Sequence, residues 1–298
     1  MSHVATLIAS PAGPAVTDEA LGAVREALGD GAAPVWLHEG VAADLSFDPG
    51  TRPLGDIDEH LRRALGAAPV DVVVQPAAHR RKRLFLADMD STMIEQECID
   101  ELADYVGLKT EVAAVTERAM RGEIAFEPAL RERVALLKGL PVKVVDEIIA
   151  ARIRLTPGGR TLVRTLRAHG AYTCLVSGGF TVFTGPLAAR IGFDEHRSNR
   201  LVIENEKLAG RVEEPILGRD AKLAALIELR ERLGLCRDDT LAAGDGANDL
   251  AMLQEAGLGV AYHAKPAVAA AAHARIDHGD LTALLYVQGY RADEFVTD

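Results

Sequence analysis

Asp88 and Asp90 close the apolar run Leu84-Phe85-Leu86-Ala87, and Ser91-Thr92 follow directly. Strand side chains repeat every second residue, so carboxylates at i and i+2 point into one cleft. One carboxylate can attack phosphorus and the other can handle the leaving-group proton, while both gather a divalent cation. Open parallel sheets bind ligands at the carboxyl ends of their strands, which is where this pair falls.

Three later segments have the same character. Asp239-Thr240-Leu241-Ala242-Ala243-Gly244-Asp245-Gly246-Ala247-Asn248-Asp249 reads as a short apolar strand that breaks at glycine into carboxylates. Asp245 and Asp249 are hard oxygen ligands, suited to Mg²⁺ rather than to zinc or copper. Asn248 and Asp249 also suit the N-cap and first turn of a helix over 250–256. Tyr172-Thr173-Cys174-Leu175-Val176-Ser177-Gly178-Gly179-Phe180 is an apolar strand, a hydroxyl, then two glycines opening the next helix. Such a turn presents a hydroxyl and backbone N–H groups to an anion. Lys222 stands near the start of a helical stretch that runs to about Leu233.

In this order (Asp-x-Asp-x-Thr, Ser, Lys, Gly-Asp-x-x-x-Asp) the four segments resemble the motif set of the haloacid dehalogenase-like phosphotransferases. The resemblance runs from about Leu84 to Leu285. It implies a covalent aspartyl-phosphate on Asp88, with Asp90 as general acid and base. It also implies Mg²⁺ held by Asp88, the Asp90 backbone carbonyl and Asp245, and phosphoryl oxygens held by Ser177, the Gly178 backbone, Lys222 and Asn248. Glu97, nine residues after Asp88, and Arg133 in the stretch Phe126-Glu127-Pro128-Ala129-Leu130-Arg131-Glu132-Arg133-Val134 look like the phosphoserine-hydrolysing branch of that superfamily. There an acidic residue takes the substrate ammonium and an arginine its carboxylate. Met120 and Phe126 match the apolar lid over the site. A zwitterion needs one anion and one guanidinium fork on opposite sides, which agrees with this pair. The implied reaction is hydrolysis of O-phosphoserine, the last step of serine biosynthesis. Transfer to another small alcohol, or a regulatory amino-acid-binding role, are the alternatives; the second would not need Asp88, Asp90, Ser177, Lys222 and Asp245 together.

The formal charge of −11 argues against nucleic acid or an anionic membrane as the main partner. Cys98, Cys174 and Cys236 are few, odd in number and far apart, as suits a reduced cytoplasm. No apolar stretch approaches membrane-spanning length and the N-terminus lacks the shape of a signal peptide, so a cytoplasmic protein is expected.

The elements that must position these residues follow from periodicity. At 298 residues, one large core and a smaller domain is the expectation. Residues 1–80 alternate as a strand over 3–9, a helix over 17–28 with Thr17 as N-cap, strands over 35–38 and 43–47, a helix over 57–65 and a strand over 70–74. That βαββαβ order fits a small α+β ferredoxin-like domain, similar to amino-acid-sensing modules, and is compatible with a structural or homodimer-forming role. His79-Arg80-Arg81-Lys82-Arg83 reads as a solvated basic linker. Residues 81–298 alternate strand and helix, the signature of an α/β Rossmann-like parallel sheet core. Its strands are expected over 84–87, 171–176, 240–243 and 259–262. A helical cap, about 94–153, is inserted after the first strand, and 199–212 reads as a β-hairpin at the sheet edge.

Overall fold

In the computed structural model, which describes residues 1–13, 15–29, 33–120 and 123–297, the chain opens with an antiparallel sheet. Its elements are β1 (His3–Ala9), α1 (Asp18–Leu28), β2 (Val35–His38), β3 (Ala42–Phe47), α2 (Leu54–Leu65) and β4 (Val70–Pro76). The strand order β2-β3-β1-β4 is the ferredoxin-like arrangement expected from the element order. Thr17 caps α1, its hydroxyl accepting from Ala20 N at 3.2 Å. Alternation sorts the strands: Ala5, Leu7, Ala43, Leu45 and Val72 pack with Val24, Leu28, Ile57 and Leu61 of the two helices.

The catalytic-type strands form a second, six-stranded parallel sheet. In chain order its strands are β5 (Leu84–Ala87), β6 (Tyr172–Phe180) and β7 (Glu195–Asn199), then β10 (Thr240–Gly244), β11 (Leu258–Tyr262) and β12 (Ala274–Ile276). Their order in space is β12-β11-β10-β5-β6-β7. The chain moves outward from β5 in one direction and returns to build outward from β10 in the other. The crevice between the carboxyl ends of β5 and β10 is therefore the topological switch point, where open α/β sheets bind ligands. All four residues of β5 are fully buried, because helices cover both faces. Phe85 and Ala87 join one apolar layer, with α7 (Gly159–Ala168), α8 (Thr181–Ile191) and α12 (Ala283–Val287). Leu84 and Leu86 join the other, with α9 (Arg219–Arg232), α10 (Leu250–Glu255) and α11 (Pro266–Ala269).

Between β5 and β6 lie α3 (Cys98–Tyr105), α4 (Lys109–Met120), α5 (Phe126–Leu136) and α6 (Lys143–Ala151), the helical insert the spacing predicts. Its two ends are zipped by an antiparallel bridge between Ile94 and Leu155.

Three expectations need correction. The hairpin β8 (Leu201–Glu204) and β9 (Lys207–Val212) is a separate two-stranded sheet, not an extension of the large one. It lies against the insert: Gly139 N donates to Leu208 O and Leu208 N to Leu140 O, each at 2.8 Å. The sheet edge is instead β7, whose sequence Glu-His-Arg-Ser-Asn carries no apolar signal. Its polar residues are satisfied sideways; Ser198 and His196 bond the hydroxyl of Thr184 at 2.7 and 3.0 Å. And β6 runs on through Ser177-Gly178-Gly179 to Phe180, with a register break after Val176, so the glycines lie in a bulged strand end and the helix begins only at Thr181.

The stretch 79–83 is solvated only in part: His79, Arg81 and Arg83 are exposed, while Arg80 is half-buried and Lys82 buried. Arg80 forks onto Asp44 at 2.6 and 3.1 Å, reaches Thr6 Oγ1 at 3.1 Å, and donates to the carbonyls of Val287 and Tyr286. Arg81 lies 4.0 Å over the Tyr290 ring, and Lys82 donates to the carbonyls of His79 and Asp238. The face of the first sheet away from its helices is likewise covered, since Ile8, Ala42 and Val73 belong to the same apolar cluster as Phe85 and α12. On that face the fully buried Asp71 accepts three backbone N–H groups, from Asp277, His278 and Gly279, at 2.8, 3.0 and 2.8 Å. Removing the carboxylate strands all three donors. Asp71→Ala should lower stability by on the order of 3 kcal/mol or more, and Asp71→Asn, which keeps one acceptor, by roughly half as much. Denaturant midpoints for the two variants test this order.

Candidate active site

The geometry at the switch point begins with register. Ala87 pairs with Ala243 on one side and Leu175 on the other, so Asp88, Gly244 and the end of β6 emerge together. Asp88 is tied down by its own backbone, its N–H donating to Ala243 O at 3.0 Å. After it the chain makes a tight turn over 89–93 with Ser91 at φ 55°.

Lys222, on the first turn of α9, is 3% exposed and sits 2.7 Å from Asp88 and 2.6 Å from Asp249. Asp249 is fully buried and does not cap α10, whose first residue follows it. Its second oxygen accepts from Gly246 N at 3.0 Å. The glycines make this approach possible: a Cβ on Gly244 would overlap the Asp249 side chain, and one on Gly246 would overlap Asn248 Oδ1. Asp245 is half-buried and accepts from Thr92 Oγ1 at 3.1 Å.

Asp88, Asp245 and Asp249 bring one carboxylate oxygen each within 4.8 Å of one another. The expected cation set was Asp88, Asp245 and the backbone carbonyl of Asp90; Asp249 adds a third side-chain carboxylate beside it. The carboxylate of Asp90 is not in this cluster; its Oδ1 accepts from Cys98 N at 3.1 Å. Asp249 was legible as a hard ligand, but its spacing fitted an N-cap equally well.

Lys222 is the one basic side chain paired with this carboxylate cluster among the described residues. Burial pushes Asp88 upward, and the Lys222 ammonium opposes it only in part. Burial and the neighbouring Asp249 raise Asp245 to about 6. Burial followed by the charge of Glu97 raises Asp90 to about 7. Lys222 is lowered by burial but raised further by Asp88 and Asp249, so it stays charged. The negative charge left over and the all-oxygen donors fit a hard divalent cation.

Ser177 is buried, and its Oγ accepts from Gly179 N at 2.9 Å. A Cβ on Gly179 would lie 3.1 Å from that Oγ and 3.4 Å from Asp90 Oδ2, so bare backbone separates the two groups. Asn199, not anticipated from the sequence, donates to the carbonyls of Gly178 and Leu217 and accepts from Leu217 N. It ties the Ser177 loop to the segment entering α9, and a lone Asn before a hairpin carries no motif signal. Asn248 is exposed on the rim.

The helical insert supplies the roof. The Phe126 ring, at the start of α5, lies 3.6 Å from the Cβ positions of both Gly178 and Gly218. Glu97, just before α3, is exposed, and its Oε1 accepts from Ser91 Oγ at 2.7 Å. Arg133 on α5 is half-buried with only two long contacts, to Ala129 O at 3.4 Å and Thr116 Oγ1 at 3.5 Å. No carboxylate pairs with it among the described residues. Burial lowers its pKa, while the charges of Asp100 and Glu97 oppose that. Met120 ends α4, and its side chain lies outside the described residues.

Carboxylates, one buried ammonium and a buried hydroxyl thus gather at the switch point beneath an aromatic ring. A family model for haloacid dehalogenase-like hydrolases matches residues 85–254. The chain is 42% identical over 249 residues to a phosphoserine phosphatase of Archaeoglobus fulgidus, an alignment spanning 83% of this chain and 72% of that one. It is 46% identical to a phosphoserine phosphatase of Streptomyces coelicolor over 79% of its own length, but spans only 59% of that relative. The solved structure of a probable phosphoserine phosphatase from Vibrio cholerae superposes with a TM-score of 0.78 at 31% identity, covering 98% of this chain and 88% of that one. Sequence and fold agree that the chain belongs to the haloacid dehalogenase-like hydrolases.

Proposed function

We propose that the chain is a phosphoserine phosphatase that hydrolyses O-phosphoserine to serine and phosphate, the last step of serine biosynthesis. The observation that carries the substrate choice is Arg133, a half-buried guanidinium with no carboxylate partner among the described residues, on a helix that also roofs the cleft with Phe126. A buried guanidinium left unpaired is costly unless a ligand completes it. We read residues 1–80 as a small separate domain, 81–298 as the phosphatase domain and 94–153 as its cap. Three free cysteines, and the lack among the described residues of any helix long and apolar enough to cross a membrane, support a cytoplasmic setting.

The residues then divide the work. Arg133 takes the substrate carboxylate bidentately and Glu97 its ammonium, with Phe126 closing over the apolar part. Ser177, the Gly178 backbone, Lys222 and Asn248 hold phosphoryl oxygens. Asp88, Asp245 and Asp249, with the Asp90 carbonyl, would hold Mg²⁺, which supplies positive charge against the phosphate oxygens. An Asp88 oxygen attacks phosphorus, the bond from phosphorus to the serine oxygen breaks, and Asp90 delivers its proton to that oxygen. Asp90, now a carboxylate, takes a proton from water, whose oxygen attacks the aspartyl-phosphate. Phosphate leaves and Asp88 is restored. A group near 7 serves both proton transfers well.

Asp88→Asn should lose on the order of a thousandfold or more in turnover, as removal of a covalent nucleophile does. Mass spectrometry of quenched reactions should find phosphate on Asp88 of the unaltered enzyme and on no other residue.

Selectivity checks the substrate. Arg133→Ala and Glu97→Gln should each lose about 2–5 kcal/mol of transition-state stabilisation for phosphoserine, roughly 30-fold or more in kcat/KM. p-Nitrophenyl phosphate, lacking both charged groups, should suffer much less. Equal losses on the two substrates would reduce the assignment to an unspecified phosphomonoesterase.

The raised carboxylates also set a pH dependence of the metal-free protein. Asp90 at about 7 and Asp245 at about 6 both lie above their ordinary value of 3.8, so the folded state holds protons that the unfolded chain releases. Their contribution is complete at pH below 3.8 and is lost as pH rises through 6 to 7. In chelator, the melting temperature relative to that of Asp245→Asn should fall from pH 5 to pH 8. Mg²⁺ at the upper end should restore it, since the cation takes the place of the protons. A wild-type curve that climbs relative to the variant over this window contradicts the assignment.

A further inference from the structure

Ser91 follows Asp90 directly, and no step of the proposed reaction uses it. Its backbone lies in the left-handed region at φ 55°, where serine is not favoured. A polar side chain held in such a conformation points to a local constraint worth its cost. Its hydroxyl donates to Glu97 Oε1 at 2.7 Å. Two more bonds join the same two segments: Ser91 N to Gln96 O at 3.3 Å, and Cys98 N to Asp90 Oδ1 at 3.1 Å. The turn that carries Asp90 and the entry to α3 are therefore stitched edge to edge.

Glu97 needs such support. It is exposed, precedes α3, and makes no capping bond to that helix. A free glutamate side chain samples many rotamers, and fixing it on binding would cost entropy. A carboxylate already held by a neighbour loses less when substrate arrives. One oxygen engaged by Ser91 leaves the other for a cation.

We propose that Ser91 is a specificity-positioning residue that holds the Glu97 carboxylate in place for the substrate ammonium. The proposal rests on the phosphoserine reading of Glu97. It assigns Ser91 an effect on recognition through Glu97, and none on phosphorus.

The test uses the full chain with phosphoserine and p-nitrophenyl phosphate. Ser91→Ala and Ser91→Gly should each raise KM for phosphoserine about three- to tenfold, the range for one partly exposed hydrogen bond to a charged group. Neither kcat for phosphoserine nor KM for p-nitrophenyl phosphate should move by more than about twofold. Glycine relieves the left-handed backbone while alanine does not, so a loss shared by both belongs to the hydroxyl. Adding Ser91→Ala to Glu97→Ala should cost nothing further, because the partner is already gone. Wild-type behaviour of Ser91→Gly, equal losses on both substrates, or additivity with Glu97→Ala would each overturn the positioning role while leaving the phosphoserine reading intact. If Glu97→Ala itself shows no selective loss on phosphoserine, that reading falls and takes this proposal with it.

Discussion

Lys222 is the charge on which the rest of the cleft depends. It is buried with Asp88 and Asp249, both of which it touches, and Asp245 lies in the same carboxylate cluster. Carboxylates do not stay ionised in a low-dielectric crevice without a compensating charge, and one ammonium cannot match three of them. The imbalance is visible in the upward shifts of Asp88 and Asp245, and an excess of carboxylate over ammonium is what a hard divalent cation would offset. Sheet register brings the carboxylates together, and Gly244 and Gly246 let Asp249 fold back under the loop. Helix α9 then aims Lys222 between them. Fold and electrostatics are one problem here: strand pairing forces the carboxylates together, and the charges at the strand ends must then be neutralised.

The insert stands in a different relation to the core. Its stem is narrow, with Glu95 N donating to Arg154 O and Thr156 N to Met93 O, both at 3.1 Å, beside the Ile94–Leu155 bridge. Above the stem, Phe126 lies over two glycines, Cys98 N donates to Asp90 Oδ1, and Leu102, Leu130, Val134 and Ile148 join the apolar cluster of Phe85 and Ala87. The hairpin pairs with the insert rather than with the sheet. The charge network thus lies in the core and the ring of Phe126 on the insert, so the two sides of the cleft come from separate stretches of chain.

What the sequence made legible tracks how local the signal was. The four strands with apolar runs and the insert could be read because alternation and glycine breaks act over a few residues. Asp88, Ser177, Lys222 and Asp245 stood out only through the order of the four motifs and the family that order resembles. β7 could not be read, since its buried Ser198 and Asn199 are satisfied by Thr184, Gly178 and Leu217, partners invisible to any window. β12 is three residues long. The run 79–83 looked like a solvated linker because its acceptors, Asp44, Asp238 and the carbonyls of Tyr286 and Val287, lie far away in sequence. Asp249 could be read both as a hard ligand and as the N-cap of the helix that follows; its carboxylate bonds Lys222 rather than the helix.

The same long-range pairing bears on the N-terminal unit. A ferredoxin-like sheet covers one face with its two helices and leaves the other available. In this chain the second face is occupied by Ile8, Ala42 and Val73 against the core, by Arg80 on Asp44, and by Asp71 on the loop 277–279. That loop does not end the connection. Gly279 O accepts from His263 Nε2 at 2.8 Å, and Leu281 N donates to Pro157 O at 3.1 Å, one residue beyond Thr156 and the stem of the insert. A displacement of the first sheet against the core would have to break buried, charge-assisted hydrogen bonds before anything moved. Any influence the N-terminal unit has on the cleft must therefore pass through this interface, because neither face of its sheet is free to act alone.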